Sequence, residues 1–148
     1  MLEPDLIQTR GFRNIVRDGR PIGFEFNIRL TYYRGIFLSQ LRPQNVVIDG
    51  KTIPKEKVVW VLNGHEHSYN SMRWDCETHW CPDQPATLRI YDGEGLKSGY
   101  HCLSTGYMYS SSYMPPQLQQ GIDNDEIDPF LEMMFGQLKS ERRMLLVC

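Results

Sequence analysis

The 148 residues, 41% hydrophobic and 23% charged, have the make-up of one ordinary globular domain, or of one domain with a tail. Sixteen basic against eighteen acidic residues leave a net charge of −2, which argues against a non-specific nucleic-acid binder. No apolar run approaches the roughly 20 residues that span a bilayer, and the opening "MLEPDLIQTRGFRNIV" lacks the apolar centre of a secretory signal, so a cytoplasmic chain is expected.

In chain order, "GFRNIV" and the stretch 23–33 flank Asp18-Gly19, a good turn pair, and predict a first hairpin. Residues 23–33 alternate with period two: Phe24, Phe26, Ile28, Leu30 and Tyr32 point one way, and Glu25, Asn27, Arg29, Thr31 and Tyr33 the other. The run "NVVIDGKTI" repeats the theme about Asp49-Gly50, and "KVVWVLNGHEH" does so about Asn63-Gly64. "PATLRIYDGEG" sets Ala86, Leu88 and Ile90 against Thr87, Arg89 and Tyr91, ending in Asp92-Gly93. "GYHCLSTGYMYSSSYMPP" is the longest extended run, and Pro115-Pro116 stop it because proline cannot donate to a ladder.

The C-terminal third opens polar and acidic. Asp128 before Pro129 suits a helix start, so "PFLEMMFGQLK" reads as one to three helical turns with Leu131, Met134, Phe135 and Leu138 on one side, and "RRMLLVC" as a last strand. The expected fold is all-β, an antiparallel, jelly-roll-like β-sandwich over residues 1–116. Residues 117–148 form a C-terminal extension, irregular or helical and then extended, packing on the same domain.

The sharpest metal-like signal is the group His65, His67, Cys76, His79 and Cys81. His-x-His on a strand places both imidazoles on one face, as in an open catalytic site of a stand-alone, cupin-like metalloprotein. The spacing matches no standard zinc pattern, and His65 directly follows a turn pair. Surface and loop histidines with buried thiols are the plainer reading. The four cysteines, with no signal peptide, are taken as reduced thiols. No nucleophile elbow, phosphate loop or dinucleotide fingerprint is present, and the acid pairs near residues 123–128 read as a solvated linker. The aromatics are more telling. Tyrosines crowd Tyr32-Tyr33-Arg34 and Tyr107, Tyr109 and Tyr113, and tyrosine and arginine are enriched at interfaces. Exposed tyrosines also stack on sugar rings, which leaves a sugar-binding module open.

Taken together, "GFEFNIRLTYYRGIFLS", "VVIDGKTIPKEKVVWVLNG", a Trp before "PATLRIYDGEGLKSGYH", and "SSSYMPP" resemble the small (beta) subunit of bacterial C-glycoside deglycosidases, in order over about residues 12–116. That resemblance implies a compact antiparallel β-sandwich partnered by a larger TIM-barrel alpha subunit, which carries a divalent, manganese-type metal and the general base. The complex would cleave the carbon–carbon bond of a 3-oxo C-glycoside. The keto group acidifies the neighbouring C–H, so that a placed base opens an elimination. No catalytic residue, metal or cofactor is then expected in this chain. Its contribution is expected at the corner Tyr33, Arg34 and Gly35, together with Ser112, Tyr113, Met114 and Pro115. Both blocks set tyrosine beside a chain-stopping Gly or Pro at a strand end, where they would face the partner or the cleft.

Overall fold

The computed structural model describes residues 2–32, 34–109 and 138–147, with the backbone alone for Leu138. Three of the turn pairs named above close two-residue hairpins. Positive φ at both central residues marks Asp18-Gly19 (54° and 76°), Asp49-Gly50 (49° and 83°) and Asn63-Gly64 (53° and 79°). This twist matches the right-handed twist of the flanking strands, and Asp, Asn and Gly reach it at low cost. The pairs join β1 (Arg13–Arg17) to β2 (Arg20–Ile28), β5 (Val46–Ile48) to β6 (Lys51–Ile53), and β7 (Val58–Leu62) to β8 (His65–His67).

Two antiparallel sheets result. One runs β1-β2-β10-β7-β8, with β10 at Ala86–Ile90. The other runs β12-β11-β5-β6, with β11 at Gly99–Tyr109 and β12 at Leu138–Leu146; β4 (Leu41–Pro43) also pairs with β11. A small ribbon of β3 (Ile36–Phe37) and β9 (His79–Trp80) bridges one end. Between the sheets lies one apolar core. The first sheet supplies Phe24, Phe26, Ile28, Leu88 and Trp60, and the second supplies Val46, Ile48, Leu103, Tyr107, Met144 and Leu146. The expected all-β sandwich is the fold found. The alternation expected in β10 is also present, with Ala86, Leu88 and Ile90 inside and Thr87 and Arg89 on the other face.

Some elements differ from the sequence reading. The strand expected over 23–33 loses its partners after Ile28, where β10 begins at Ala86. Arg29 N–H then donates to Leu6 O, and Thr31 N–H to the Tyr107 hydroxyl at 3.0 Å. The chain stays in the core regardless: Leu30 is fully buried and Tyr32 packs against the cluster. Asp92-Gly93 closes no hairpin. The Asp92 carboxylate accepts from the Glu94 and Gly95 amides and starts a loop that crosses to the other sheet. The last two residues of "PFLEMMFGQLK", expected to be helical, are extended instead: Leu138 and Lys139 open β12 opposite Tyr107 and Gly106. The rest of that segment lies outside the described residues. The last strand is nine residues long and pairs with β11 along its whole length.

One edge of the sandwich is closed by charge-assisted bonds. From β12, Arg142 donates to Ile7 O (2.9 Å) and Glu3 Oε1 (3.0 Å), in a segment that itself bridges Ile7 to Ile28 of β2. The outward face of the first sheet holds a carboxylate that alternation alone would leave solvated. Glu25 is buried because Arg13 and Arg89 each donate to one of its oxygens at 2.7 Å.

A second clasp gives a pH signature. His101 on β11 has both ring nitrogens against acceptors, Nδ1 on Asp49 Oδ2 (2.5 Å) and Nε2 on Lys97 O (2.7 Å), so it donates twice and is held as the cation. Burial opposes that charge, but the Lys97 carbonyl and the Asp49 carboxylate outweigh it and raise the imidazole above its ordinary 6.5. The stabilisation is therefore complete below pH 6.5 and is lost as pH rises through the folded-state value. Thermal melts should show the wild type losing Tm on going from pH 6.5 upward, and His101→Gln flattening that dependence. A His101→Gln curve parallel to the wild-type curve would refute the clasp.

Candidate functional site

The corner singled out in the sequence is built from the core outward. Trp80 on β9 is fully buried, and its indole N–H donates to Gln84 O at 2.8 Å. It meets Trp60 edge-on at 5.5 Å and Tyr107 at 5.4 Å. Tyr107 in turn lies 6.4 Å from Tyr109, and Tyr109 lies 5.0 Å from Tyr32. These five rings form a column from the centre of the first sheet to the surface. Such tilted and edge-on pairs add about 0.5–1.5 kcal/mol each beyond the area they bury.

Tyr107 is pinned at both ends of its hydroxyl. It accepts from Thr31 N–H and donates to Arg29 O at 3.0 Å. Burial pushes its phenol up, against the opposing bond from Thr31; burial and the neighbouring Tyr32 likewise push Tyr109 up. Both phenols stay protonated and serve as struts rather than bases.

Gly35 turns the chain at the head of the column. Its φ is +74°, and a Cβ there would lie 2.4 Å from His79 Cε1 and 2.7 Å from Trp80 O. This close approach of backbone to β9 is why a glycine stands here. Its amide donates to Tyr32 O, closing the turn that carries exposed Arg34 outward. The structure thus places Arg34 and Gly35 together on a rigid support. Tyr33 lies outside the described residues, as do Ser112, Tyr113, Met114 and Pro115. The strand that leads to that second block ends at Tyr109, which stacks on Tyr32 beside the first block.

His65 and His67 do share a face of β8, opposite Leu62 and Trp60. His65 is exposed, and His67 Nδ1 is 3.7 Å from Asp75 Oδ2. His79 faces Phe37 at 5.0 Å and Cys81 Sγ at 3.3 Å, and Cys76 is exposed. Among the described residues no three His, Cys, Asp or Glu side chains gather to hold a metal ion. Cys76, Cys81 and Cys102 are free thiols; Cys148 lies outside the described residues. A cleft of about 650 Å³ lies beside the N-terminal segment and is lined by Glu3, Gln8, Thr9, Arg10, Asn27 and Asp83. Glu3, Gln8 and Asn27 direct their polar atoms largely at the chain's own groups, which leaves few for a ligand.

Sequence reasoning missed two residues at this end of the molecule. Phe37 and Trp74 are large, apolar and exposed. Phe37 follows a short buried run without alternation, and Trp74 sits in a polar stretch, so neither had a periodic pattern to set it apart.

Comparison with known proteins bears on this site. A family model described as C-glycoside deglycosidase beta subunit matches residues 2–113. A C-glycoside deglycosidase beta subunit of Eubacterium cellulosolvens is 44% identical over 147 residues, covering 99% of this chain and all of that one. A protein of the same name from Microbacterium trichothecenolyticum is 33% identical over 85 residues, 57% of this chain and 62% of that one.

Proposed function

The chain belongs to the C-glycoside deglycosidase beta subunit family, and on that premise we propose that it is the small, non-catalytic subunit of a heteromeric lyase. The family name implies a partner subunit. In this reading the partner is a larger TIM-barrel alpha subunit that holds a divalent, manganese-type metal and the general base, and the complex opens the carbon–carbon bond of a 3-oxo C-glycoside in the cytoplasm. No helix among the described residues is long and apolar enough to cross a membrane.

The observation that carries the proposal is the end-to-end relation to a protein named as a beta subunit. The geometry supports the part assigned to this chain. The corner at Arg34-Gly35 is preorganised by the aromatic column, and a surface fixed before binding loses little conformational entropy on docking. The small subunit would brace the large one and wall its cleft, leaving proton abstraction next to the keto group to the partner's base.

Mixing the purified subunits tests this. A 3-oxo C-glycoside should be cleaved by the two together and not by this chain alone. Turnover by this chain by itself, or stoichiometric metal in it that a His65→Ala/His67→Ala variant loses, would overturn the proposal in favour of a self-contained, cupin-like metalloenzyme. Binding of free sugar by the isolated chain, with no effect on the large subunit, would favour a carbohydrate-binding module.

A further inference from the structure

Most exposed apolar side chains of the described residues have an evident local role. Tyr100 is capped by the Arg143 guanidinium at 4.6 Å and sits across from Leu145; Tyr91 donates to Glu66 at 2.8 Å; Val16 stands at the tip of the β1–β2 hairpin. Trp74 is different. It is 79% exposed, follows α1 (Tyr69–Met72), and makes no side-chain hydrogen bond or ring contact among the described residues. A bare indole in water is unfavourable, and tryptophan is among the residues enriched in interface hot spots.

Trp74 and Phe37 belong to one stiff module. Asp75, next to Trp74, gives its carbonyl to Ser39 N–H at 2.9 Å, and Thr78 O accepts from Leu38 N–H at 3.0 Å. Phe37 is opposite His79 in the β3–β9 ribbon and packs edge-on against its ring. The Asp75 carboxylate takes the Glu77 and Thr78 amides and the Thr78 hydroxyl, which fixes the turn after Trp74. Met72, at the end of α1, is buried in the core. The two aromatics therefore project from a cross-braced platform, and Gly35 joins that platform to the corner through His79 and Trp80.

We propose that Trp74 and Phe37 are the anchors by which this chain docks on its large subunit, each entering an apolar slot, the one for Trp74 ending in a carbonyl or carboxylate that accepts the indole N–H. The inference rests on the subunit reading above and deepens it: the interface extends from Arg34 across the β3–β9 ribbon to the turn after α1. The family name, a beta subunit, favours a different subunit over a second copy of this chain as the occupant, and preorganised aromatics make up a hot-spot composition.

Trp74 also supplies the readout. Trp60 and Trp80 are 1% and 0% exposed, so acrylamide quenching of the free chain reports Trp74. Adding the purified large subunit should protect the indole from quenching. Trp74→Ala should weaken the Kd for the large subunit about 30-fold or more, and Phe37→Ala about 5- to 30-fold, with unchanged circular dichroism and Tm because neither is in the core. Tyr100→Ala, on a different sheet, should leave the Kd within about twofold. Wild-type affinity in the Trp74→Ala/Phe37→Ala double variant would sink the anchor assignment while leaving the subunit reading intact. So would an indole still fully quenched in the complex, or a loss in Tyr100→Ala as large as in Trp74→Ala. Failure of the wild-type chain to bind the large subunit at all would instead sink the subunit reading itself.

Discussion

Trp80→Ala should destabilise the fold by about 3–5 kcal/mol, the range for removing a large aromatic from a core that cannot close over the gap. The side chain is fully buried and central to the column, touching Trp60 on one side and Tyr107 on the other. Its loss removes two edge-on contacts and the bond to Gln84 O, and leaves Tyr107 without a wall. Because Trp80 also pairs with Ile36 in the small ribbon, the β3–β9 platform should loosen along with the core. Urea unfolding measures the loss. Trp80→Phe, which keeps a ring but no donor, should fall between the two. A Trp80→Ala variant within 1 kcal/mol of wild type would show that the column is not what supports the corner.

Gly35→Ala should cost about 2–5 kcal/mol, an effect out of proportion to one methyl group. Two terms add. A left-handed backbone costs an alanine about 1–2 kcal/mol, and the new Cβ at 2.7 Å from the Trp80 carbonyl forces the ribbon apart, an overpacking term of about 1–3 kcal/mol. His79 can swing away, but the Trp80 backbone is held in the β3–β9 ladder and cannot. On the docking proposed above, the variant should lose affinity for the partner subunit as well as stability. By contrast, Gly50→Ala meets nothing within 4 Å and should show the backbone term alone. Denaturant midpoints for the two variants side by side separate strain from collision; equal losses would remove the close approach as the reason for Gly35.

Much of this architecture is legible in the sequence because its signals are local. The Asp18-Gly19, Asp49-Gly50 and Asn63-Gly64 turns dictate their own φ values, and the period-two pattern of β10 needs only one buried face. What the sequence conceals is set by distant partners. Alternation continues past Ile28, yet the ladder stops there, because the Thr31 amide is claimed by a hydroxyl from Tyr107, 76 positions further on. Glu25 reads as solvent-facing until Arg13 and Arg89 are seen to enclose it. Asp92-Gly93 has hairpin chemistry, but the next strand belongs to the opposite sheet. At the candidate site, the tyrosine cluster at 107–109 mixes two roles that composition cannot separate. Tyr107 is core, and Tyr109 is a surface prop for Tyr32. Gly35 was visible as a turn residue, but its reason, the approach to β9, depends on a segment more than forty residues away.

The union of β12 with both β11 and the N-terminal segment has a temporal consequence. Glu3 and Ile7 are made well before their clasp, Arg142, which lies in a strand 135 residues beyond Ile7 and 139 beyond Glu3. Until that strand leaves the ribosome, Leu103 and Tyr107 lack the neighbour that completes their sheet, and a nascent chain presents an unfinished, adhesive flank. Maturation of the sandwich thus has long sequence separations to close, which predicts slow folding and a window in which a chaperone can meet that flank.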